Sequence, residues 1–302
     1  MKNILILSFL FVLFQACGQK NKIESKEKVN LKLNEQFGDY WYQGEAELTS
    51  YDLEQVRYGE KRKGEAVLIF VTEDFSKSKQ VKLNNPKEAG DDAEKVLKLN
   101  FTKKFKTGIY PYSIMTSVFS PVYPESDLHA RKVSTSVQEW CGHVFMQLNN
   151  KGNNYNLLGR SYFESEGDIE IDLDKVWLED ELWTLLRLDP NQIPEGEIQL
   201  FPSTQYLRLK HKDLKAYTAN VSIIKNDSLN ELKIEVAELE RELSIFYKKE
   251  HPYQIEKWEE SYPENGEIMT TTATLKKRNM LDYWNKNSLK DSVYREKLEL
   301  KF

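Results

Sequence analysis

YTANVSIIKNDSLNELKIEV, residues 217–236, decides the fold. Tyr217, Ala219, Val221 and Ile223 alternate with polar neighbours, the turn-like Asn226, Asp227 and Ser228 follow, and Leu232, Ile234 and Val236 resume the alternation. Successive side chains of a strand point to opposite faces, so a period of two marks a strand with one face buried and one in water. Two such runs across a polar turn read as an antiparallel hairpin. The same pattern recurs at Leu97, Leu99 and Phe101, at Ile169, Ile171 and Leu173, at Leu243, Ile245 and Tyr247, and at Tyr253 and Ile255. Turn residues at 59–64, 84–90, 152–154 and 264–266 fall between the runs. AVLIFV (66–71) is apolar without alternation, which predicts a central strand covered on both faces.

One segment breaks the period. In DLDKVWLEDELWTLLRLDP (172–190), Leu178, Leu182, Leu185 and Leu186 recur at helical spacing and Pro190 closes the run. The spacing predicts a helix near 175–188, with Asp172 or Asp174 as its cap. The expected fold is therefore mainly β: a large curved antiparallel sheet, half-barrel-like, packed on one main helix. A helix over a concave sheet leaves a place for an apolar ligand. Leu182, Trp183, Leu185 and Leu186 are the candidates from the helix. Trp41, with Tyr40 and Tyr42 on the expected first strand, and Tyr112, near Tyr110 and Phe119, are the candidates from the sheet. Core filling is the competing reading of every one of these side chains, because strands favour aromatics for packing alone.

QEWCGH (138–143) puts Cys141 and His143 two apart, on one face if the stretch is a strand. That pairing permits an imidazole-activated thiolate or two metal ligands. A catalytic dyad also needs an oxyanion hole and an orienting group, and nothing nearby supplies them, so Cys141 reads first as a small core hydrophobe. His129, His211 and His251 stand apart, without the spacing of a metal site. The acids from Glu164 to Asp174 alternate with Ile169, Ile171 and Leu173 and read as a solvated strand face rather than a calcium loop. Neither Gly-x-x-x-x-Gly-Lys nor Gly-x-Gly-x-x-Gly occurs, and no cofactor is expected.

The first residues are MKNILILSFLFVLFQACGQK. Lys2 precedes an apolar run over 4–14, shorter than the ~20 residues of a transmembrane helix. Ala16-Cys17-Gly18 then places a small residue before a cysteine. The stretch resembles a bacterial lipoprotein signal: residues 1–16 as signal peptide and Cys17 as the lipidated N-terminus. Residues 17–36, polar and lysine-rich, read as a flexible tether, 37–277 as the β domain, and 278–302 as a C-terminal tail of no evident structure. Formal net charge is −5 over 302 residues with both signs interspersed, which excludes a nucleic-acid footprint.

YWYQGEAELTSYDLEQVRYGE (40–60), NFTKKFKTGIYPYSIMTSVFSPV (100–122), QEWCGH and RELSIFYKKEHPYQIEKWEES (241–261) resemble a family of envelope lipoproteins whose members carry the label "septum formation inhibitor Maf". True Maf proteins are cytoplasmic α/β nucleotide pyrophosphatases with a Ser-x-Ser-x-x-Arg-like motif near the N-terminus; no such motif follows here. The order of elements is also similar to periplasmic half-barrel domains related in shape to lipoprotein and lipid carriers. The resemblance implies a lipoprotein held on the envelope by its N-terminal lipid. Gly18 after the cysteine carries no retention signal, which points to the outer rather than the inner membrane. The sheet-and-helix reading adds a non-enzymatic function, binding an apolar small molecule or lipid. The alternatives are a scaffold for envelope proteins and, further off, a Cys/His enzyme or a Maf-type pyrophosphatase.

Overall fold

Among the described residues fifteen strands form one sheet. From its middle, β1 (Ala46–Arg57), β2 (Glu60–Ser76), β3 (Ala93–Thr107), β4 (Tyr110–Pro121), β5 (Lys132–Glu139), β6 (Gly142–Asn150), β7 (Asn154–Ser161) and β8 (Ile169–Asp174) step outward as a meander. From the other edge, β9 (Trp177–Leu178), β10 (Gly196–Phe201), β11 (Tyr217–Lys225), β12 (Asn230–Val236), β13 (Arg241–Tyr247), β14 (Ile255–Glu264) and β15 (Glu267–Leu281) step back until β15 pairs with β1. The computed structural model describes residues 31–301. The expected signal peptide, Cys17 and residues 18–30 of the expected tether lie outside the described residues.

The mainly β expectation holds, and the sheet remains open. It curls further than a half-barrel. Fifteen strands side by side span about 67 Å. Yet β8 and β9, at opposite edges, are separated in the chain only by Lys175 and Val176. Three Cα steps reach at most ~11 Å, so the two edges approach each other at one corner. Neighbouring strands are antiparallel except β9 and β10, which run parallel over Leu200–Trp177 and Phe201–Leu178.

The alternating stripes face inward. Leu97, Leu99 and Phe101, Leu232, Ile234 and Val236, and Leu243, Ile245 and Tyr247 all join one buried cluster. Tyr253 does not continue its stripe: it lies before β14, at a φ of 56°. The inner face is covered by α3 (Glu179–Leu188) and α4 (Thr204–Lys210), while α1 (Phe37–Trp41) and α2 (Pro86–Ala89) are short connectors and α5 (Val293–Lys297) lies near the C-terminus. Trp41 therefore sits on a helix, not on the first strand. Leu31 and Leu33, at the end of the expected tether, pack on the core.

The helix begins later than its apolar spacing suggests. Val176 precedes the two-residue β9, and Asp172 and Asp174 stay on β8. The cap comes instead from Glu181, whose Oε1 accepts the Leu178 N–H at 3.0 Å. An acidic first turn (Glu179, Asp180, Glu181) also suits the positive end of the helix dipole. All ten residues of α3 are buried. α4 escapes a sequence reading because Tyr206, Arg208 and Lys210 alternate with Leu207 and Leu209 as a strand would, over only seven residues.

The C-terminal stretch is structured. Residues 278–281 finish β15, and the chain then crosses the outer face of the sheet, where Leu298 packs with Ala46, Leu48 and Val71 and against Ile69, Leu281, Tyr283 and Leu300. Ser50 Oγ donates to the Leu298 carbonyl at 2.6 Å and the Lys301 N–H to Glu65 at 2.8 Å. This strap is why AVLIFV is apolar on both faces: Ala66, Leu68 and Phe70 face the interior cluster, and Ile69 and Val71 face the strap.

Candidate functional site

Two places within the described residues were candidates in the sequence, and the structure adds a third. The first is the space between sheet and α3. Leu182, Trp183, Leu185 and Leu186 are 0–4% exposed and belong to the core, with Trp183 packed on Phe101 and Trp258 at centroid distances of 5.1 and 5.4 Å. Trp41 packs on Phe70 and the Arg187 guanidinium. Tyr112 stacks on Phe105 at 4.8 Å, and its hydroxyl lies 2.9 Å from that of Tyr58. None of the six lines an apolar cavity; Trp183 alone borders a polar one.

What holds α3 in place is ionic as well as apolar. Arg187 donates to both oxygens of Glu47 at 2.7 and 2.8 Å and, through Nε, to the Pro252 carbonyl at 2.7 Å. The Tyr40 hydroxyl adds a hydrogen bond to Glu47. Burial alone would raise the Glu47 carboxyl, but Arg187 and Tyr40 outweigh it and hold it below its ordinary value. At the other end Arg241 donates to both oxygens of Glu179 at 2.6 and 2.7 Å and to Glu260 at 2.8 Å. Asp180 accepts the Thr204 N–H and hydroxyl at 3.0 and 2.7 Å, tying α3 to α4. Lacking a cation among these hydrogen bonds, it is pushed up by burial to about 6.

Beside this network, between α3, α4 and β13–β14, lies a cavity of about 20 Å³ edged by Lys103, Glu179, Arg241, Glu260, Gln55 and Gln205. Gln55 Oε1, Gln205 Oε1 and Tyr206 Oη are buried there without partners. That is room for a water or so, which polar walls of this kind hold. It is too small and too polar for an apolar ligand.

The second candidate, Cys141 with His143, is corrected outright. Cys141 is exposed, in the Trp140–Cys141 turn between β5 and β6, and is not a core residue. Polar residues crowd a hairpin tip, and a strand-length alternation cannot show where the tip falls. A hydrogen bond that the Cys141 thiol donates to the Glu139 carboxylate, together with that group's negative charge, raises the thiol above its ordinary value, which lowers its thiolate fraction. His143 is exposed at the start of β6. Among the described residues no three His, Cys, Asp or Glu side chains group as metal ligands.

The third place emerges at the β8 edge, which sequence reasoning recognised as a strand but not as a site. Ile169 and Ile171 take inward positions, opposite Gly159 and Leu157 of β7. Here α3 no longer covers the sheet. Gly159 leaves space that Ile169 fills, since a Cβ there would lie 2.7 Å from Ile169 Cγ1. The result is a cavity of about 390 Å³ between β6–β8 and the end of α4. Its floor is Val144, Met146, Ile169, Ile171, Leu207 and Leu214. Ile171 is 38% exposed despite its inward position.

Charged groups ring the mouth. Arg208 Nη1 donates to Glu166 Oε1 at 3.0 Å, and its guanidinium lies over the Phe163 ring at 4.6 Å. His211, at the left-handed C-cap of α4, places Nδ1 2.8 Å from the same Glu166 oxygen. Arg160 donates to the carbonyls of Gly159 and Ile169 at 2.8 and 3.1 Å. The signal in the sequence was the Ile169–Leu173 stripe; what it could not reveal is that α3 stops short of it.

Comparison with protein-family models, curated proteins and solved structures finds no match.

Proposed function

We propose that this chain is a non-enzymatic lipoprotein of the bacterial envelope, anchored through a lipid on Cys17 at the outer membrane, that holds an apolar ligand at the β8 edge. The carrying observation is the cavity of about 390 Å³ with an apolar floor between β6–β8 and the end of α4. That volume falls within the ~300–1,000 Å³ of small-molecule sites, and an apolar lining with a few polar groups at the mouth is their usual composition. The cavity replaces the sheet–α3 interface as the ligand's place. The competing account is that packing simply ends at a free edge.

Organic extraction and mass spectrometry decide between them. The full chain, produced in a bacterial periplasm, is expected to carry a stoichiometric apolar compound that Ile171→Glu loses. A protein that is empty in both forms removes the reading.

A scaffold function is the second reading, and one observation favours it. Strand register brings the β1–β2, β3–β4, β5–β6, β7–β8 and β14–β15 connections to one end of the sheet. Tyr58, Ile109, Trp140, Tyr162 and Ile268, at or beside these tips, are each 49–80% exposed. Exposed aromatic and aliphatic side chains gathered at one end suit a protein partner. An empty ligand pocket would move the search there.

A further inference from the structure

We infer that the free edge of β8 docks an extended peptide of a partner protein, one in which apolar and basic side chains alternate. The peptide adds one more strand to the sheet. Its apolar row lies beside Ile169, Ile171 and Leu173, and its basic row beside Glu170, Asp172 and Asp174. This goes beyond the proposed pocket, which uses the concave face and not the edge.

β8 ends the sheet, and none of its residues is buried. Alternate residues of an edge strand turn their N–H and C=O groups away from the ladder, which makes the edge a template for another strand. Among the described residues, the hydrogen bonds to the backbone of 169–174 are those of the β7 ladder and one from Arg160 Nη1 to the Ile169 carbonyl at 3.1 Å. Edges are usually protected by proline, by lysine, by inward charges or by shortness. β9, at the opposite edge, is two residues long. β8 runs six residues as IEIDLD, with neither proline nor lysine and with an apolar inward row. Ile171 remains 38% exposed there, and an apolar side chain on an adjacent strand would cover it.

The outward row selects the charge of the partner. Glu170, Asp172 and Asp174 are exposed and stand opposite the uncharged Leu158, Asn156 and Asn154 of β7. Among the described residues none of the three is in an ion pair, and Asp172 accepts a hydrogen bond from the Asn156 amide at 3.3 Å. The neighbouring cations are engaged elsewhere: Arg160 with Asp168 at 3.6 Å, Lys175 with Asp127 at 2.7 Å, and Arg208 and His211 with Glu166 at 3.0 and 2.8 Å. Lys212 and Asp213, on the cavity wall, add one charge of each sign. Opposite charges facing each other across a strand pair attract, and like charges repel. A strand with lysine or arginine on its outer row therefore fits this edge. The β8 edge of a second copy, acid against acid, is repelled.

The test uses the full chain carrying Cys17→Ser, so that acylation contributes nothing, and measures binding of labelled octapeptides by fluorescence anisotropy. The probes are alternating Lys/Val, alternating Glu/Val, a block peptide with all its lysines before its valines, and alternating Lys/Val N-methylated along one edge or the other. Alternating Lys/Val is expected to bind once per chain, at least tenfold more tightly than alternating Glu/Val or the block peptide. Methylation along one edge is expected to abolish binding, and along the other to spare it. Glu170→Lys with Asp172→Lys is expected to reverse the preference toward Glu/Val. Equal binding of the block and alternating peptides reduces the effect to charge attraction and overturns strand addition, as does binding that survives methylation of either edge. A preference that the double variant leaves intact overturns the role of the acidic row. Binding that appears only when residues 18–30 are deleted gives the edge to the chain's own lysine-rich segment and overturns the partner. If no peptide binds while extraction still yields an apolar compound, the edge inference falls and the pocket stands. Should the double variant not fold, the peptides on the unsubstituted edge still decide.

Discussion

Two parts of one concave face meet opposite fates. Across β1–β4 and β11–β15 the inward stripes are sealed under α3 and α4, and every residue of α3 is buried. At β8 an equally regular stripe, Ile169 and Ile171, is left beside a cavity. Alternation creates both surfaces, but only a covering element turns one of them into core. The sealed part is also the charged part, since α3 carries Glu179, Asp180, Glu181 and Arg187 into the interior. The open part has an apolar floor and keeps its charges at the mouth. Stability and binding should therefore separate along this line.

The largest effect is expected at Leu185. Glutamate at this position, 3% exposed, would bury a carboxylate with no designated partner. The loss should exceed ~4 kcal/mol, which places it among the rare severe substitutions. Urea unfolding reads it directly. A stable, folded Leu185→Glu chain would mean that α3 can swing away from the sheet, and the contrast between sealed and open parts would collapse.

Glu47→Gln comes next. It removes the countercharge of Arg187 and leaves a buried guanidinium uncompensated, a change worth ~3–5 kcal/mol in buried pairs. The double variant Glu47→Leu, Arg187→Met removes both charges and should be far milder, because the desolvation cost disappears with the attraction. If single and double variants are equally destabilised, the pair contributes through packing rather than charge.

Much of the sealed part was legible beforehand. Stripes such as Leu232, Ile234 and Val236 depend only on local alternation, and AVLIFV showed a doubly covered strand before the covering strap was known. The strap itself was not legible, because Leu298 and Leu300 stand among charges and the sheet residues they cover, Ala46, Leu48, Ile69 and Val71, lie more than two hundred residues away. Trp41 was misplaced because a five-residue helix has no periodicity to read. Cys141 was misread because burial of a cysteine is a residue-type tendency, while a two-residue hairpin tip is set by the register of β5 on β6. The pocket was signalled only in part: the Ile169–Leu173 stripe marked its strand, but its floor is completed by β6 and α4, which the sequence does not bring together.

Asp180 offers a finer probe of the sealed part. Its folded carboxyl is raised to about 6, above the ~3.9 of an unfolded chain, so between these values the folded state binds more protons. This group's contribution to stability therefore falls as pH rises from about 4 to 6 and is least favourable above that. Glu47 and Glu260, held low by arginines, act in the opposite sense: their contribution is present above ~4.5 and is lost as pH falls through their folded values. Asp180→Asn retains an acceptor for Thr204 and removes the titration. It should be neutral to stabilising at pH 8, by up to ~3 kcal/mol, and relatively less favourable at pH 4. A variant destabilised equally at both values would show that Asp180 matters for its hydrogen bonds and not for its charge.

The smallest effect on stability is expected at the open edge, and there it is the more informative. Ile171 is 38% exposed, so a glutamate at this position keeps its carboxylate in contact with water and should shift unfolding by no more than about 0.5 kcal/mol. Its neighbours Glu170 and Asp172 already show that β8 tolerates carboxylates on its other face. The same substitution sets a charge on the apolar floor and should abolish binding of any apolar chain. Denaturant unfolding and ligand titration on one preparation measure both. A variant that loses stability along with binding would make β8 part of the sealed core, and the cavity a gap in packing. A variant that keeps its stability and loses its ligand would assign binding to the stretch of concave face at β8 that α3 leaves uncovered.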